Sequence, residues 1–252
     1  MRRNGVLAAS ARLAASCLAL LTLAVMPALA GDRALIDFIG YSEDGQYFAF
    51  EEYGIGDGSG APYSHIFIVD LAADTWVDGA PISVDTLSDA DPEATPLSAV
   101  RAVARDKARK KLDALKIDVP VEILSLLGDG VAGANGKSAG FSTPMCCGPG
   151  QTQDDAFTLT LSTLPIASGE SWCTDMNPVG YALSFKGDGE PVELHRDGAK
   201  LPKSRGCTLD YRIYAIVQPF EGGAGGRIAI ISSYPYGFEG PDRRFLAVPI
   251  DQ

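Results

Sequence analysis

The residues best suited to binding chemistry lie near the C-terminal end of the chain. Six residues there combine aromatic rings with charge: Tyr234, Tyr236, Phe238, Asp242, Arg243 and Arg244. Aromatic and arginine side chains dominate binding hot spots, because each joins a large contact area to a hydrogen-bonding group. The pattern predicts a binding surface in a loop between two strands. The alternative is a strand connector whose aromatic side chains fold back onto the core.

Carboxylates offer the main enzymatic hypothesis, since Asp and Glu can act both as acid and as base. Glu51 and Glu52 are adjacent, so on a strand their side chains point to opposite faces and cannot pair with each other. Glu52 shares a face with Phe48 and Phe50, and burial against an apolar surface raises the pKa of a carboxyl group. The alternative to a binding module is therefore a carboxylate-dependent envelope hydrolase, although no residue is assigned as catalytic.

Nucleophilic catalysis requires a base beside the nucleophile, and His is the usual base. After residue 30 the chain contains only His65 and His195. A Ser-His-Asp set would combine His195 and Asp197 with a nearby serine. The two candidate serines, Ser64 and Ser204, lack the Gly-x-Ser-x-Gly elbow of such enzymes. Ordinary histidines on strands are therefore the favoured interpretation.

Cysteine pairing is predicted from the compartment. Four cysteines follow residue 30: Cys146, Cys147, Cys173 and Cys207. An even number in an exported chain favours disulfides, and four cysteines allow three pairings that the sequence does not choose among. A bond between the adjacent Cys146 and Cys147 would strain the peptide between them, so we expect a Cys173–Cys207 disulfide.

No metal site or cofactor is predicted. The adjacent Cys146 and Cys147 lack the two-residue spacer of zinc knuckles. Asp57 and Asp188 offer oxygen ligands in loops, but neither loop has the residue spacing of a dedicated calcium site. Both aspartates are interpreted as turn residues that suit the backbone geometry.

The first 30 residues have the organisation of a cleavable signal peptide. Positive charge at residues 2–3 precedes an apolar run at residues 18–26, and Ala28-Leu29-Ala30 places small residues where signal peptidase reads them. We therefore expect cleavage before Gly31 and a periplasmic or secreted protein. The apolar run is shorter than the roughly 18 to 20 residues of a membrane-spanning helix, so a cleaved signal is favoured over a permanent anchor. No later segment is apolar enough to span a membrane, so no span is expected after cleavage.

The charge of the chain limits its partners. The formal net charge is −11, and loss of Arg2, Arg3 and Arg12 with the signal changes it to −14. A polyanion is repelled by nucleic acids and by anionic lipid surfaces. Nucleic-acid binding is therefore excluded, and the partner is unknown, with an envelope protein as one candidate.

Residues 31–252 are predicted to form a single β-rich domain. Apolar strands at residues 34–40 and 46–53 flank Ser42-Glu43-Asp44-Gly45, which predicts a hairpin, and residues 181–185 and 192–195 predict a second one. A Gly-rich connection covers about residues 128–150. The predicted fold class is mainly β (α+β). It is an antiparallel β-rich domain with one amphipathic helix, in a partial propeller-like or sandwich assembly.

The helix is predicted at about residues 96–118. Thr95 is placed as the N-cap before Pro96, and apolar residues then recur at spacings of three and four. Basic residues crowd its polar face. They would either dock an acidic partner or an anionic polymer of the cell envelope, or form a solvated face that pairs with the acidic loop at residues 85–93. The second interpretation is favoured, since such charge runs are usually the solvated face.

Two stretches of the chain echo each other. Residues 45–53 and 226–234 both open with a glycine turn and run through an apolar strand to a tyrosine. We expect the two units to lie side by side in one antiparallel assembly. The first unit also resembles one blade of the periplasmic TolB-type β-propellers, through Ser42, Asp44-Gly45, Ala49-Phe50 and Ile66 to Asp70. A complete propeller needs at least four blades of roughly 40 residues, and only one good copy and one degraded copy are present.

Most of the chain after residue 30 resembles a bacterial family of predicted secreted proteins of unknown function. Three stretches carry the resemblance: residues 41–45, 201–207 and 237–245. The resemblance implies export and brings no activity, cofactor or site residue with it.

Overall fold

Antiparallel sheets form most of the chain that the structure describes. The structure is a computed structural model, and it describes residues 31–129, 135–142, 156–167, 170–187 and 189–251. The proposed signal segment, Cys146, Cys147 and Asp188 lie outside the described residues. In these described ranges the strands dominate and a single α-helix is present, which confirms the predicted fold class.

The N-terminal sheet contains six short to medium strands. They are β1 (Leu35–Ser42), β2 (Tyr47–Ile55), β3 (Pro62–Asp70), β4 (Thr75–Trp76), β5 (Ile82–Asp85) and β6 (Ile117–Val119). The order is β4-β3-β2-β1-β6, and β5 pairs with β3 beside β4. The predicted first hairpin is confirmed as β1–β2. Its turn is closed by the Ser42 hydroxyl, which donates to Asp44 Oδ1 at 2.6 Å and accepts from the Tyr47 amide at 2.9 Å.

Helix α1 (Leu97–Ala114) covers the outer face of the N-terminal sheet. Ala104 and Ala108 pack on Ile66 and Ile68, all fully buried. Burying an isoleucine side chain contributes roughly 1.5–3 kcal/mol, so this packing fixes the position of the helix. Pro96, rather than the predicted Thr95, occupies the N-cap position. The helix therefore starts later than predicted, and it ends before the predicted residue 118 because the chain enters β6.

The central sheet continues directly from β6. Pro120 separates β6 from β7, and the chain crosses there from one sheet to the next. The strands are β7 (Val121–Leu126), β12 (Thr208–Pro219), β13 (Ile228–Pro235) and β14 (Arg244–Pro249). Their order is β14-β13-β12-β7, so β14 and β7 are the two edges.

The distal sheet consists of β8 (Ser138–Ser142), β9 (Ala156–Pro165), β10 (Val179–Lys186) and β11 (Val192–Arg196), in the order β11-β10-β9-β8. The second predicted hairpin is confirmed as β10–β11. The interpretation of residues 128–150 as a connection is wrong in part, because β8 lies inside it and pairs with β9. Ala139 and Gly140 are small, so the sequence of β8 lacks a clear strand pattern, and the strand packs on the core through Phe141.

Alternation along β13 explains how the three sheets stack. Ile228 and Ile230 belong to the core shared with the N-terminal sheet, whereas Ala229 and Ile231 belong to the core shared with the distal sheet. Successive side chains of a strand point to opposite faces, so the central sheet is buried on both sides. The layers run from α1 through the N-terminal and central sheets to the distal sheet.

The two echoing stretches pack face to face. Residues 46–53 form most of β2 in the N-terminal sheet, and residues 227–234 form most of β13 in the central sheet. Phe48 and Phe50 share one core with Ile228 and Ile230. The two units therefore contact each other as expected, but as stacked layers and not as neighbouring strands of one sheet. The sandwich alternative holds, and the described sheets form layers without a closed propeller.

The Cys173–Cys207 disulfide is confirmed. It ties a short 3-10 helix, Ser171–Met176, to the residue that precedes β12. Both cysteines are buried. Native disulfides typically contribute about 2–4 kcal/mol to stability, and this one holds the Ser171–Met176 helix against the start of β12.

Candidate functional site

A groove of about 670 Å³ runs along β14, the edge strand of the central sheet. Residues 244–248 of β14 line it. The N-terminal sheet supplies one wall and the distal sheet, with residues 202–206, supplies the other. The groove therefore lies where the middle layer of the stack stops between its two neighbours.

The wall from the N-terminal sheet is aromatic. The rings of Phe50 and Phe67 stack with centroids 4.9 Å apart, and Trp76 lies 5.3 Å from Phe67. Phe50 is buried, whereas Trp76 is 44% exposed at the rim. Such rings offer a large apolar contact at little cost in conformational entropy.

The wall from the distal sheet is aromatic and charged. Tyr181 stacks on His195 with centroids 4.6 Å apart, and Arg205 lies 5.0 Å from the Tyr181 ring centroid. His195 Nε2 is 3.0 Å from Asp197 Oδ1, and one Arg205 nitrogen donates to both Asp197 oxygens at 2.7 Å. Burial raises the pKa of Asp197, but the hydrogen bonds from His195 and the Tyr181 amide and the Arg205 charge outweigh it, so the pKa is lowered.

The Ser-His-Asp hypothesis finds only partial geometric support. His195 and Asp197 are in contact, and Ser204 lines the same groove. Ser64 lies on the opposite face of the N-terminal sheet, where its hydroxyl donates to Glu51. Asp197 is already neutralised by Arg205, so the pair resembles a structural support more than a catalytic relay.

Glu52 closes one end of the groove. The residue is only 2% exposed, and its Oε2 accepts the amide hydrogen of Phe245 on β14 at 2.8 Å. Arg244 Nε is 3.8 Å from Oε1. Burial raises the pKa of Glu52 to about 7, although the Arg244 charge and the Phe245 amide lower it. Near neutral pH this carboxyl group is therefore divided between its two protonation states.

Glu51 faces the opposite way, toward α1, and is 0% exposed. Its carboxylate accepts hydrogen bonds from Arg101, Arg105 and Ser64 at 2.6–2.9 Å. Burial raises its pKa, but these three donors outweigh burial and the pKa is lowered. Both arginines also reach Asp37.

The ion pairs of α1 differ from the prediction. Arg101 and Arg105 pair with acids on β1 and β2, not with the acidic loop at residues 85–93. The sequence pattern showed that the helix is basic but not which strand it covers. This part of the basic face is therefore occupied by the protein's own carboxylates.

Two of the six predicted binding residues are buried in the fold. The Tyr234 hydroxyl donates to Asp129 at 2.7 Å. The Arg243 guanidinium donates to the Ala34 carbonyl at 2.6 and 2.9 Å and pairs with Asp129. Arg243 thus holds the N-terminal segment against the start of β14, and both side chains reach Asp129, so they serve the fold as in the alternative interpretation of this segment.

Two more predicted residues form an ion cluster at the Glu52 end of the groove. Asp242 Oδ1 accepts the Asp32 amide at 3.0 Å, and Arg244 pairs with Asp32 Oδ2 at 2.7 Å. Burial raises the pKa of Asp242, although Arg244 and the Asp32 amide lower it. Of the predicted six, Arg244 alone lines the groove.

The last two predicted residues are exposed outside the groove. Phe238 is 94% exposed, and Tyr236 meets the exposed Trp172 edge-on with centroids 6.1 Å apart. Their neighbours Pro235 and Gly206 line the groove. Trp172, Tyr236 and Phe238 are therefore exposed aromatic residues beyond that end of the groove.

Comparison with known proteins identifies the family. A family described as Predicted secreted protein (DUF2259) matches residues 49–251. The chain belongs to this family. No curated protein and no solved structure gives a significant match to the chain. All groove-lining residues, from Phe50 to Val248, fall within the span that the DUF2259 family matches.

Sequence reasoning missed most of the groove in this DUF2259 member. Phe67, Trp76, Tyr181 and Arg205 come from separate parts of the chain and meet only through sheet stacking. Arg205 lies within the family-resemblance stretch 201–207, but nothing in that stretch indicates its partner Asp197. Among the described residues, no group of three His, Cys, Asp or Glu is placed to hold a metal ion.

Proposed function

We propose that this secreted-family protein is an exported binding module whose ligand occupies the groove along β14. The observation that carries the proposal is the wall chemistry. Aromatic rings line both sides, and Arg205 and Arg244 lie among them. This combination is typical of binding hot spots, and the groove volume lies within the usual range for ligand pockets, roughly 300–1,000 Å³.

The hydrolase alternative is less well supported by this geometry. Carboxylate catalysis needs an acid and a base that both face the substrate. Glu52 is committed to the Phe245 amide and lies near Arg244, and Asp197 is neutralised by Arg205. Arginines thus accompany the buried carboxylates at both walls, which favours recognition over acid–base catalysis.

We propose further that the mature chain begins at Gly31, in the periplasm or outside the cell. Residues just after the proposed cleavage site are part of the fold. Asp32 pairs with Arg244, and Arg33 forms a parallel bridge with Arg243. A Cβ at position 31 would lie 2.5 Å from the Pro241 carbonyl oxygen. Cleavage before Gly31 would therefore leave the domain whole, and the intact mass of the exported protein tests this directly.

A thermal-shift screen of the oxidised chain from Gly31 tests the binding role. The probes are cell-wall fragments, common periplasmic metabolites, Ca²⁺, Zn²⁺ and a random 12-residue peptide pool. A ligand of the folded state adds about 2.7 kcal/mol of stability at roughly a hundredfold excess over its Kd. Trp76→Ala should abolish the shift from the active probe, whereas Phe220→Ala, which removes an exposed ring outside the groove, should preserve it. Equal shifts in both variants would contradict the proposal.

A further inference from the structure

We infer that the ligand of the groove is an extended peptide that pairs with β14 as an additional strand of the central sheet. The inference rests on the proposed function, because it names the class of ligand for the same groove. The stack of three sheets has a middle layer that ends at β14 between two walls. An added strand would continue the middle layer between these walls.

Hydrogen bonds along β14 show which backbone groups face the groove. The amides of Arg243 and Phe245 donate away from β13, to the Asp32 carbonyl at 2.7 Å and to Glu52 at 2.8 Å. The Ile250 amide donates toward β13, to the Arg227 carbonyl at 3.0 Å. In an antiparallel ladder the direction alternates with each residue. Odd-numbered residues of β14 therefore direct their amide and carbonyl groups into the groove.

Ala247 is the open position on this edge. It has the same parity as Phe245, so its N–H and C=O point into the groove, and no described residue hydrogen-bonds to its amide. The next outward residue, Pro249, has no N–H to satisfy. Unpaired edge groups of this kind template the addition of another strand.

The groups that already contact the outer edge of β14 limit where an added strand could begin. Residues 32–34 already lie parallel to the start of β14 through the Arg33–Arg243 bridge. Glu52 then accepts the hydrogen bond from the Phe245 amide. The open stretch runs from the Phe245 carbonyl to Pro249, which fits a short strand and not a long hairpin.

The walls predict the pattern of the peptide. Alternate side chains of the added strand would face opposite walls. One set would contact Phe50, Phe67 and Trp76, and should be apolar. The other set would meet His195, Lys203 and Arg205, and should be acidic or polar. An alternating sequence with two or three apolar residues at every second position is therefore expected.

Selection from a displayed library of random 12-residue peptides, with the chain from Gly31 as bait, tests the inference. Enriched peptides should alternate apolar and acidic or polar residues. Ala247→Pro removes the outward amide without removing a bond to β13. The natural Pro249, two residues further along the same edge, lacks an outward amide in the same way. It should weaken binding about tenfold, because a carbonyl of the bound peptide would lose its hydrogen-bond donor. Unchanged thermal unfolding would show that the variant is folded.

The outcomes separate the two proposals. Weaker binding in both Ala247→Pro and Trp76→Ala, with Phe220→Ala unchanged, supports strand addition. Weaker binding in Trp76→Ala alone would overturn strand addition and leave a groove ligand that does not pair with β14. Failure to enrich any peptide would also overturn it, and the edge would then be one that Glu52 and Pro249 protect from pairing. Should Ala247→Pro unfold, backbone N-methylation of the peptide at alternate positions makes the same test.

Discussion

The two faces of the N-terminal sheet treat neighbouring carboxylates in opposite ways. On the outer face Glu51 is buried under α1 and receives hydrogen bonds from two arginines and a serine. On the inner face Glu52 is equally buried, but its donor is one backbone amide, and the Arg244 guanidinium lies 3.8 Å away. Burial alone therefore does not fix a pKa. The number of donors decides whether the pKa falls, as for Glu51, or rises to about 7, as for Glu52.

The comparison also separates a structural region from a candidate functional one. The outer face is closed by the chain's own helix and its ion pairs. The inner face opens at its end into the groove beside β14. The sequence pattern indicates the basic helix as a candidate surface. The open groove lies instead on the inner side of the N-terminal sheet, the side opposite the helix.

The largest effect should follow from removing both partners of Glu51. Arg101→Ala with Arg105→Ala leaves a buried carboxylate without its cations, which typically costs about 3–5 kcal/mol. The free energy of unfolding at pH 7, measured with urea, should fall by about that amount. Lys107→Ala with Lys110→Ala removes two exposed charges from the same helix and should cost about 1 kcal/mol or less. Equal losses in the two double variants would break the comparison.

Glu52→Gln should change how stability depends on pH. The folded pKa of about 7 lies above the ordinary glutamate pKa of 4.5, so the folded protein binds more protons than the unfolded chain between these values. The wild type should therefore lose stability as the pH rises from 4.5 to 7, by roughly 3 kcal/mol at 1.36 kcal/mol per pKa unit. The amide of the variant does not titrate, so this loss should be absent. Parallel pH dependence in urea unfolding of the two proteins would contradict the assignment.

Glu51→Gln should show the opposite sign. The folded pKa of Glu51 lies below its usual value, so its stabilising contribution is present above the unfolded pKa and is lost as the pH falls through the folded pKa. At pH 7 the variant should be less stable by about 2 kcal/mol, because it loses charge-assisted hydrogen bonds. The gap to the wild type should narrow below pH 4. A gap that widens toward acid pH would show that the arginines do not hold this carboxylate ionised.

Much of the local structure follows from the sequence. The Ser42–Gly45 turn, the β10–β11 hairpin and the opposite faces of Glu51 and Glu52 depend on residues close together in the chain. The helix also follows from local sequence, since the spacing of its apolar residues predicts it. Its start differs by one residue, because Pro96 and not Thr95 occupies the N-cap position. The Cys173–Cys207 disulfide was favoured only because the adjacent pair was sterically poor.

The groove could not be predicted in the same way. Its walls depend on which sheet stacks on which, and that choice is made by contacts between distant residues. Arg243 illustrates the difficulty, because its partner Ala34 is 209 positions away. From the sequence alone an arginine beside aromatic residues indicates a binding surface, whereas here it ties the two ends of the domain together.

The smallest effect is expected for Asp37, which lies at the exposed edge of the ion cluster around Glu51. Asp37 is about half exposed and shares Arg101 and Arg105 with Glu51. Asp37→Asn should cost no more than about 1 kcal/mol, as for other surface ion pairs. The loss should shrink further at 1 M salt, where the Debye length is only about 3 Å. A cost as large as that of removing both arginines would show that Asp37, and not Glu51, is the main partner of the helix.

Amide chemical-shift mapping of the ¹⁵N-labelled chain from Gly31, titrated with the most enriched 12-residue peptide, tests the central claim most directly. We predict that the largest shifts fall on residues 245–248 of β14 and on Trp76 and Arg205 at the two walls, while residues 98–105 of α1 stay unchanged. Shifts concentrated on the arginines of α1, with β14 unaffected, would contradict the account and move the binding site to the outer face.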